Sequence, residues 1–129
     1  MKDPHSRRRV LSCLVLAVVT IALYWPVQSF DFVNFDDDVY VKENSHVQNG
    51  LSREGLIWAF TTFHGGNWHP LTWVSHMADV EVYGLHAGGH HRTNALIHTA
   101  SALLLFLVLT GLTNSIGAGR LVGLLLDIT

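Results

Sequence analysis

The stretch VLSCLVLAVVTIALYWPVQSFDFVNFDDD, residues 10–38, decides the fold class. Its first 21 residues, Val10 to Phe30, hold no Asp, Glu, Lys or Arg. As a helix they rise about 31 Å, which matches the roughly 30 Å hydrocarbon core of a bilayer. Three consecutive carboxylates, Asp36, Asp37 and Asp38, follow shortly after. A carboxylate at mid-membrane costs roughly 2.5–3.5 kcal/mol even on a lenient insertion scale, so three together must emerge on the far side. The pattern places an acidic cluster close to a membrane surface.

Working back toward the start, the first nine residues carry Lys2, Arg7, Arg8 and Arg9 against Asp3. By the positive-inside tendency this end is cytoplasmic. Tyr24 and Trp25 suit an interfacial anchor at the outer end of the span, and Pro26 suits a helix exit. A cleaved signal peptide is the competing reading of residues 1–29, with Val27-Gln28-Ser29 as a poor cleavage pattern. The apolar run is long for a signal and a second span follows it, so a retained anchor is the reading adopted. Cys13, the single cysteine, lies inside the span, so neither a disulfide framework nor a cysteine-based zinc site can be built.

Working forward, Thr93 to Gly119 is a second charge-free block of 27 residues, most apolar from Asn94 to Leu112. Between the blocks, residues 31–92 carry eight acids against Lys42, Arg53 and Arg92. After Asn114-Ser115-Ile116-Gly117-Ala118-Gly119 comes Arg120 and a new apolar start, Leu121 to Leu126. The expected architecture is an all-α membrane protein with two complete transmembrane helices and the start of a third, joined by a partly helical extracytoplasmic loop. Its parts are a cytoplasmic N-terminus (1–9), a first span (10–30), the outer loop (31–92), a second span (93–113), a cytoplasmic turn (114–120) and a truncated third span (121–129). The chain so read is the N-terminal piece of a larger multi-pass protein.

Inside the loop, Glu43-Asn44-Ser45 and Asn49-Gly50 are turn chemistry. Ser52 is placed to cap a short helix carrying Leu56, Ile57, Phe60 and Phe63, which either lies on lipid or packs against the protein. Pro70 suits the first turn of another helix. On that helix Leu71, Val74, Ala78, Val82 and Leu85 form an apolar stripe, while His69, His76 and Tyr83 lie opposite with Asp79 flanking. His91, Asn94, His98 and Ser101 line one side of the second span, which is expected to face a bundle interior or a watery cavity.

The residue types suggest chemistry. Adjacent aspartates resist simultaneous ionisation, which suits Asp36, Asp37 and Asp38 either to base catalysis or to sharing a divalent cation. Eight of the nine histidines lie between His46 and His98. His90-His91 and the His69/His76 stripe offer imidazoles, but no His-Glu-x-x-His motif is present. His69 and His76 stand about 10 Å apart on a helix. Gly88-Gly89 interrupts the spacing of His86 and His90. No metal ligands are assigned on this basis; hydrogen bonding at the interface and contact with a lipid-linked phosphate, with Arg92 as the cation, are the expected roles. The acidic outer segment excludes a nucleic-acid partner, and no phosphate loop or Gly-x-Ser-x-Gly motif appears.

Phe35-Asp36-Asp37-Asp38-Val39-Tyr40-Val41-Lys42-Glu43-Asn44, Trp68-His69-Pro70-Leu71-Thr72 and His90-His91-Arg92-Thr93-Asn94 occur in that order between the two spans. In these motifs the chain resembles the N-terminal portion of the transmembrane and tetratricopeptide-repeat-containing proteins and their bacterial relatives, which group with protein O-mannosyltransferase-like enzymes of the glycosyltransferase-C type. The likeness covers most of residues 10–126. It implies that Asp36 matches the catalytic carboxylate and Asp37 its acidic neighbour, with Asp38, His69, His91, Arg92 and Asn94 as substrate-binding candidates. The family's arginine before the Pro-Leu pair is His69 here, and the tetratricopeptide repeats are missing.

The implied reaction transfers a sugar from a polyprenyl-phosphate carrier to a protein hydroxyl, Asp36 taking the hydroxyl proton. The leaving polyprenyl phosphate needs cationic or metal stabilisation, and Arg92 is placed to help. The implied partners are membrane lipid, the polyprenyl-phosphate donor and a protein acceptor, in a bacterial inner membrane. The alternatives are a non-enzymatic membrane-anchored scaffold that recruits partners through tetratricopeptide repeats, and a metal-binding outer-loop protein.

Overall fold

A computed structural model of the chain describes residues 4–113. Among them there is no strand. The α-helices are α1 (Pro4–Tyr24), α2 (Ser45–Gln48), α3 (Arg53–Thr61), α4 (Pro70–Tyr83) and α5 (Ala87–Thr113). Short 3-10 helices at Trp25–Ser29 and His64–Gly66 and a π-helical turn at Asp38–Lys42 complete the order. The expected turn at 114–120 and third span at 121–129 lie outside the described residues. The chain divides into two compact units. One holds residues up to Pro26 and from Asn94 onward, and the other is Val27–Thr93.

Ser6–Ser29 and Ala87–Leu112 bound the two helical stretches long and apolar enough to cross a membrane, and most of each belongs to the first unit. Only 17% and 22% of their apolar windows are buried among the described residues. Val10, Leu11, Leu14, Val15 and Val18 on α1 and Leu96, Leu104, Val108 and Leu112 on α5 are all exposed. Leu16 packs with Ala102 and Phe106, flanked by Cys13 and Leu103. The hydroxyls of Thr20 and Thr99 bond the carbonyls of Leu16 and Ala95 one turn back, which keeps polar atoms satisfied within their own helix. His98 meets Tyr24 edge-on with ring centroids 4.9 Å apart. Asn94 and Ser101, expected to face an interior, are exposed.

In the second unit the local signals act as their positions require. The Asn44 side chain accepts from the His46 and Val47 amides and so starts α2, and Ser52 Oγ accepts from the Gly55 amide and starts α3. Pro70 opens α4, and Gly84, at φ 58°, closes it in a conformation that side-chain-bearing residues rarely adopt. Val47, Ala59, Trp73 and Met77 form a fully buried core, with Tyr40, Trp58, Val74 and Val80 packed around it.

The apolar stripe of α4 does not form the core as a whole: Val74 packs against the core, but Leu71 and Val82 are 75% and 70% exposed, and Leu85 is exposed as well. Trp73, Met77 and Val80 lie among the histidines on the opposite side, and this bulkier face is the one that packs onto α2 and α3. Gly88-Gly89 does not interrupt a helix either, since α5 begins at Ala87. A Cβ on Gly88 would collide with the Gln28 carbonyl, and one on Gly89 with the Tyr83 ring. These glycines permit close packing around the first turn of α5, which offsets their low helix propensity.

Candidate functional site

The aspartate trio is divided among different tasks. Asp37 Oδ2 accepts from the Val33 amide at 2.8 Å and pins the turn into which the three residues fall. Asp38 Oδ1 lies 2.6 Å from Lys42 Nζ, and this bond holds the Lys42 ammonium above its usual pKa. Asp36 remains exposed and is the most accessible carboxylate of the three. The trio does not converge on a common point of the kind a shared cation requires.

Behind this turn stands a wall of histidine and aromatic rings. Tyr40 from the π-helical turn touches Trp73 at 4.8 Å, His69 at 5.3 Å and His76 at 6.2 Å between centroids. His76 in turn lies 5.9 Å from His90, and Phe32 covers both His90 and His91 edge-on. Burial among these rings pushes the His76 pKa down to about 4, with His90 and His69 adding to the fall and the Asp37 carboxylate opposing it. His76 is therefore a neutral imidazole at neutral pH, and Asp37 is close enough to act on it electrostatically.

At the inner end of the wall, ligand atoms of His76, Asp79 and His90 all lie within 4.8 Å of one another. Asp79 and His90 are almost wholly buried. Each is fixed from its outer side: Thr93 Oγ1 donates to Asp79 Oδ1, and the Gly84 carbonyl lies 3.0 Å from His90 Nε2. Burial lifts the Asp79 pKa above its ordinary value, against the Thr93 hydrogen bond and His90, which lower it. Asp79 Oδ2 and His90 Nδ1 are 3.7 Å apart, too far for a direct hydrogen bond. Neither atom, nor His76 Nδ1, has a hydrogen-bond partner among the described residues.

The structure therefore gathers His69 and His91 onto the same ring wall as His76 and His90, with Asp37 nearby. It leaves Asp36 and Asn94 exposed and Asp38 paired. Arg92 is also exposed, with its guanidinium 5.1 Å over the Tyr83 ring. Asp79 and Thr93 were not assigned from the sequence. The available signal was the three-residue spacing of His76 and Asp79, which puts both on one side of α4.

Beside the wall, an open cleft of about 450 Å³ is lined by residues that include Asp31, Phe32, Lys42, His86 and the α5 N-terminus at Ala87 and Gly88. Comparison with known protein families, curated proteins and solved structures finds no match for the chain.

Proposed function

We propose that this chain is an integral membrane protein whose segment between two spans lies against the outer lipid boundary and takes part in sugar transfer from a polyprenyl phosphate to a protein hydroxyl. The observation that carries the membrane reading is the orientation of the Val27–Thr93 unit. Its polar histidine wall and Trp73 face inward, while Phe35, Phe60, Phe63, Leu71 and Val82 are turned outward. An amphipathic surface of this sense suits the headgroup and acyl boundary. Continuity of the chain with an apolar helix at each end holds the unit at that boundary. The basic first nine residues orient the N-terminus to the cytoplasm and the acidic unit to the other side.

The transfer reading rests on the resemblance of the three motifs, and the local geometry is compatible with it. Asp36 is open to an incoming hydroxyl, so it serves as general base, while Asp37 holds the turn in place. The cleft offers Lys42, with Asp38 beside it, and the N-terminal end of α5 to a phosphate group. Acceptor proton removal at Asp36 accompanies attack on the anomeric carbon, and the polyprenyl phosphate departs with the carrier. Asp36→Asn, in membranes expressing the full open reading frame that carries this sequence, is expected to lower transfer from a polyprenyl-phosphate sugar by about 100-fold or more. Unaltered transfer would remove the base assignment, and no transfer by the unsubstituted protein would favour a scaffold role.

A further inference from the structure

We infer that His76 Nδ1, Asp79 Oδ2 and His90 Nδ1 form a binding site for a divalent transition ion, zinc being the best fit. Two observations carry the site independently of the sugar-transfer reading. The first is convergence: two ring nitrogens and one carboxylate oxygen from α4 and the first turn of α5 lie within 4.8 Å of one another. Closing that set onto a tetrahedral ion with bonds of about 2.1 Å needs ligand atoms about 3.4 Å apart, a contraction that small side-chain rotations supply. Two imidazoles and a carboxylate are a donor set that zinc accepts, with a further position left for water or substrate.

The second observation is the fate of the polar atoms. His90 is 1% and Asp79 4% exposed, yet Nδ1 of one and Oδ2 of the other lack a hydrogen-bond partner among the described residues, as does His76 Nδ1. A buried polar atom left unsatisfied is destabilising, and three such atoms on residues whose ligand atoms converge call for something positive between them. The outer sides of the ligands are arranged accordingly. With Nε2–H of His90 donating to the Gly84 carbonyl, Nδ1 presents a lone pair to Asp79 Oδ2. A lone pair facing a carboxylate oxygen is repulsive unless a proton or a cation lies between them. Thr93 meanwhile fixes the carboxylate through Oδ1, as the outer partners of metal ligands do. At 3.7 Å a proton between Asp79 and His90 makes no direct hydrogen bond, and it would leave His76 Nδ1 without a partner in any case; an ion satisfies all three.

The test uses the tag-free full chain in detergent, stripped with a chelator, reloaded with zinc chloride and freed of excess metal. The expected result is one zinc retained per chain. Folded Asp79→Asn and His90→Gln variants should lose it, while His64→Gln and His86→Gln, whose exposed rings lie outside the trio, should keep it. Zinc retained by folded Asp79→Asn or His90→Gln, or lost equally from His64→Gln and His86→Gln, would overturn the assignment. If the buried substitutions fail to fold, zinc X-ray absorption on the unsubstituted chain decides the matter. Scattering from two imidazoles with oxygen donors supports the site, and an all-oxygen shell or three or more imidazoles contradicts it.

Discussion

His90 is held by its far side. Its Nε2 faces the Gly84 carbonyl, and that carbonyl is presented by a residue at φ 58°, so the ring orientation depends on how α4 ends. Asp79 is held in the same manner by Thr93. Thr93→Val should weaken zinc retention at the trio by about 10–100-fold without removing a ligand, and Thr93→Ser, which keeps the hydroxyl, should restore it. A loss of zinc that tracks only loss of fold, seen equally in the serine variant, would reduce Thr93 to a packing role. At this scale the sequence was partly legible. His76 and Asp79 stand three residues apart in a helical pattern, so their shared side could be read directly. The place of His90 could not, because it depends on the Gly84 turn and on Gly89 passing beneath the Tyr83 ring, neither of which spacing alone reveals. The aspartate run was visible, but its division into an exposed base candidate, a turn-pinning acceptor and an ion-paired residue required the backbone of the turn.

Helix α4 shows how an apolar pattern can mislead about direction. Its aliphatic stripe follows the period expected of a core face, yet the helix also carries Trp73, Met77 and Val80 on the other side, and the larger side chains win the interior. The inversion has a measurable signature. Trp73→Ala should destabilise the unit by about 3–5 kcal/mol, whereas Leu71→Ala should change stability in detergent by no more than about 0.5 kcal/mol. Denaturant unfolding followed by helical circular dichroism distinguishes the two, and a larger loss for Leu71→Ala than for Trp73→Ala would show that the stripe is the core after all. The end signals of α2, α3 and α4 were legible because Asn44, Ser52 and Pro70 act locally. The early start of α5 was not, since it comes from close packing against Gln28 and Tyr83 rather than from helix propensity.

For the whole molecule the decisive feature is the contrast between two apolar helices that bury little of their surface and an intervening unit that buries His90 and Asp79 while exposing Phe35, Phe60, Phe63, Leu71 and Val82. Both become favourable once lipid rather than water is the neighbouring solvent, because the exposed apolar faces are then removed from water. The two long helices were legible from length and charge alone, as such spans require only an apolar run and an absence of ionised groups. Which residues between them turn inward was not, because that depends on the folded path of residues 27–93. Cys13 is the sole cysteine, so Cys13→Ser provides a clean background for a single reporter at position 36. Treating intact cells with a membrane-impermeant maleimide should label Asp36→Cys in a protein that alkaline carbonate does not extract; labelling only after the membrane is permeabilised, or release of the chain by carbonate, would contradict the proposed placement.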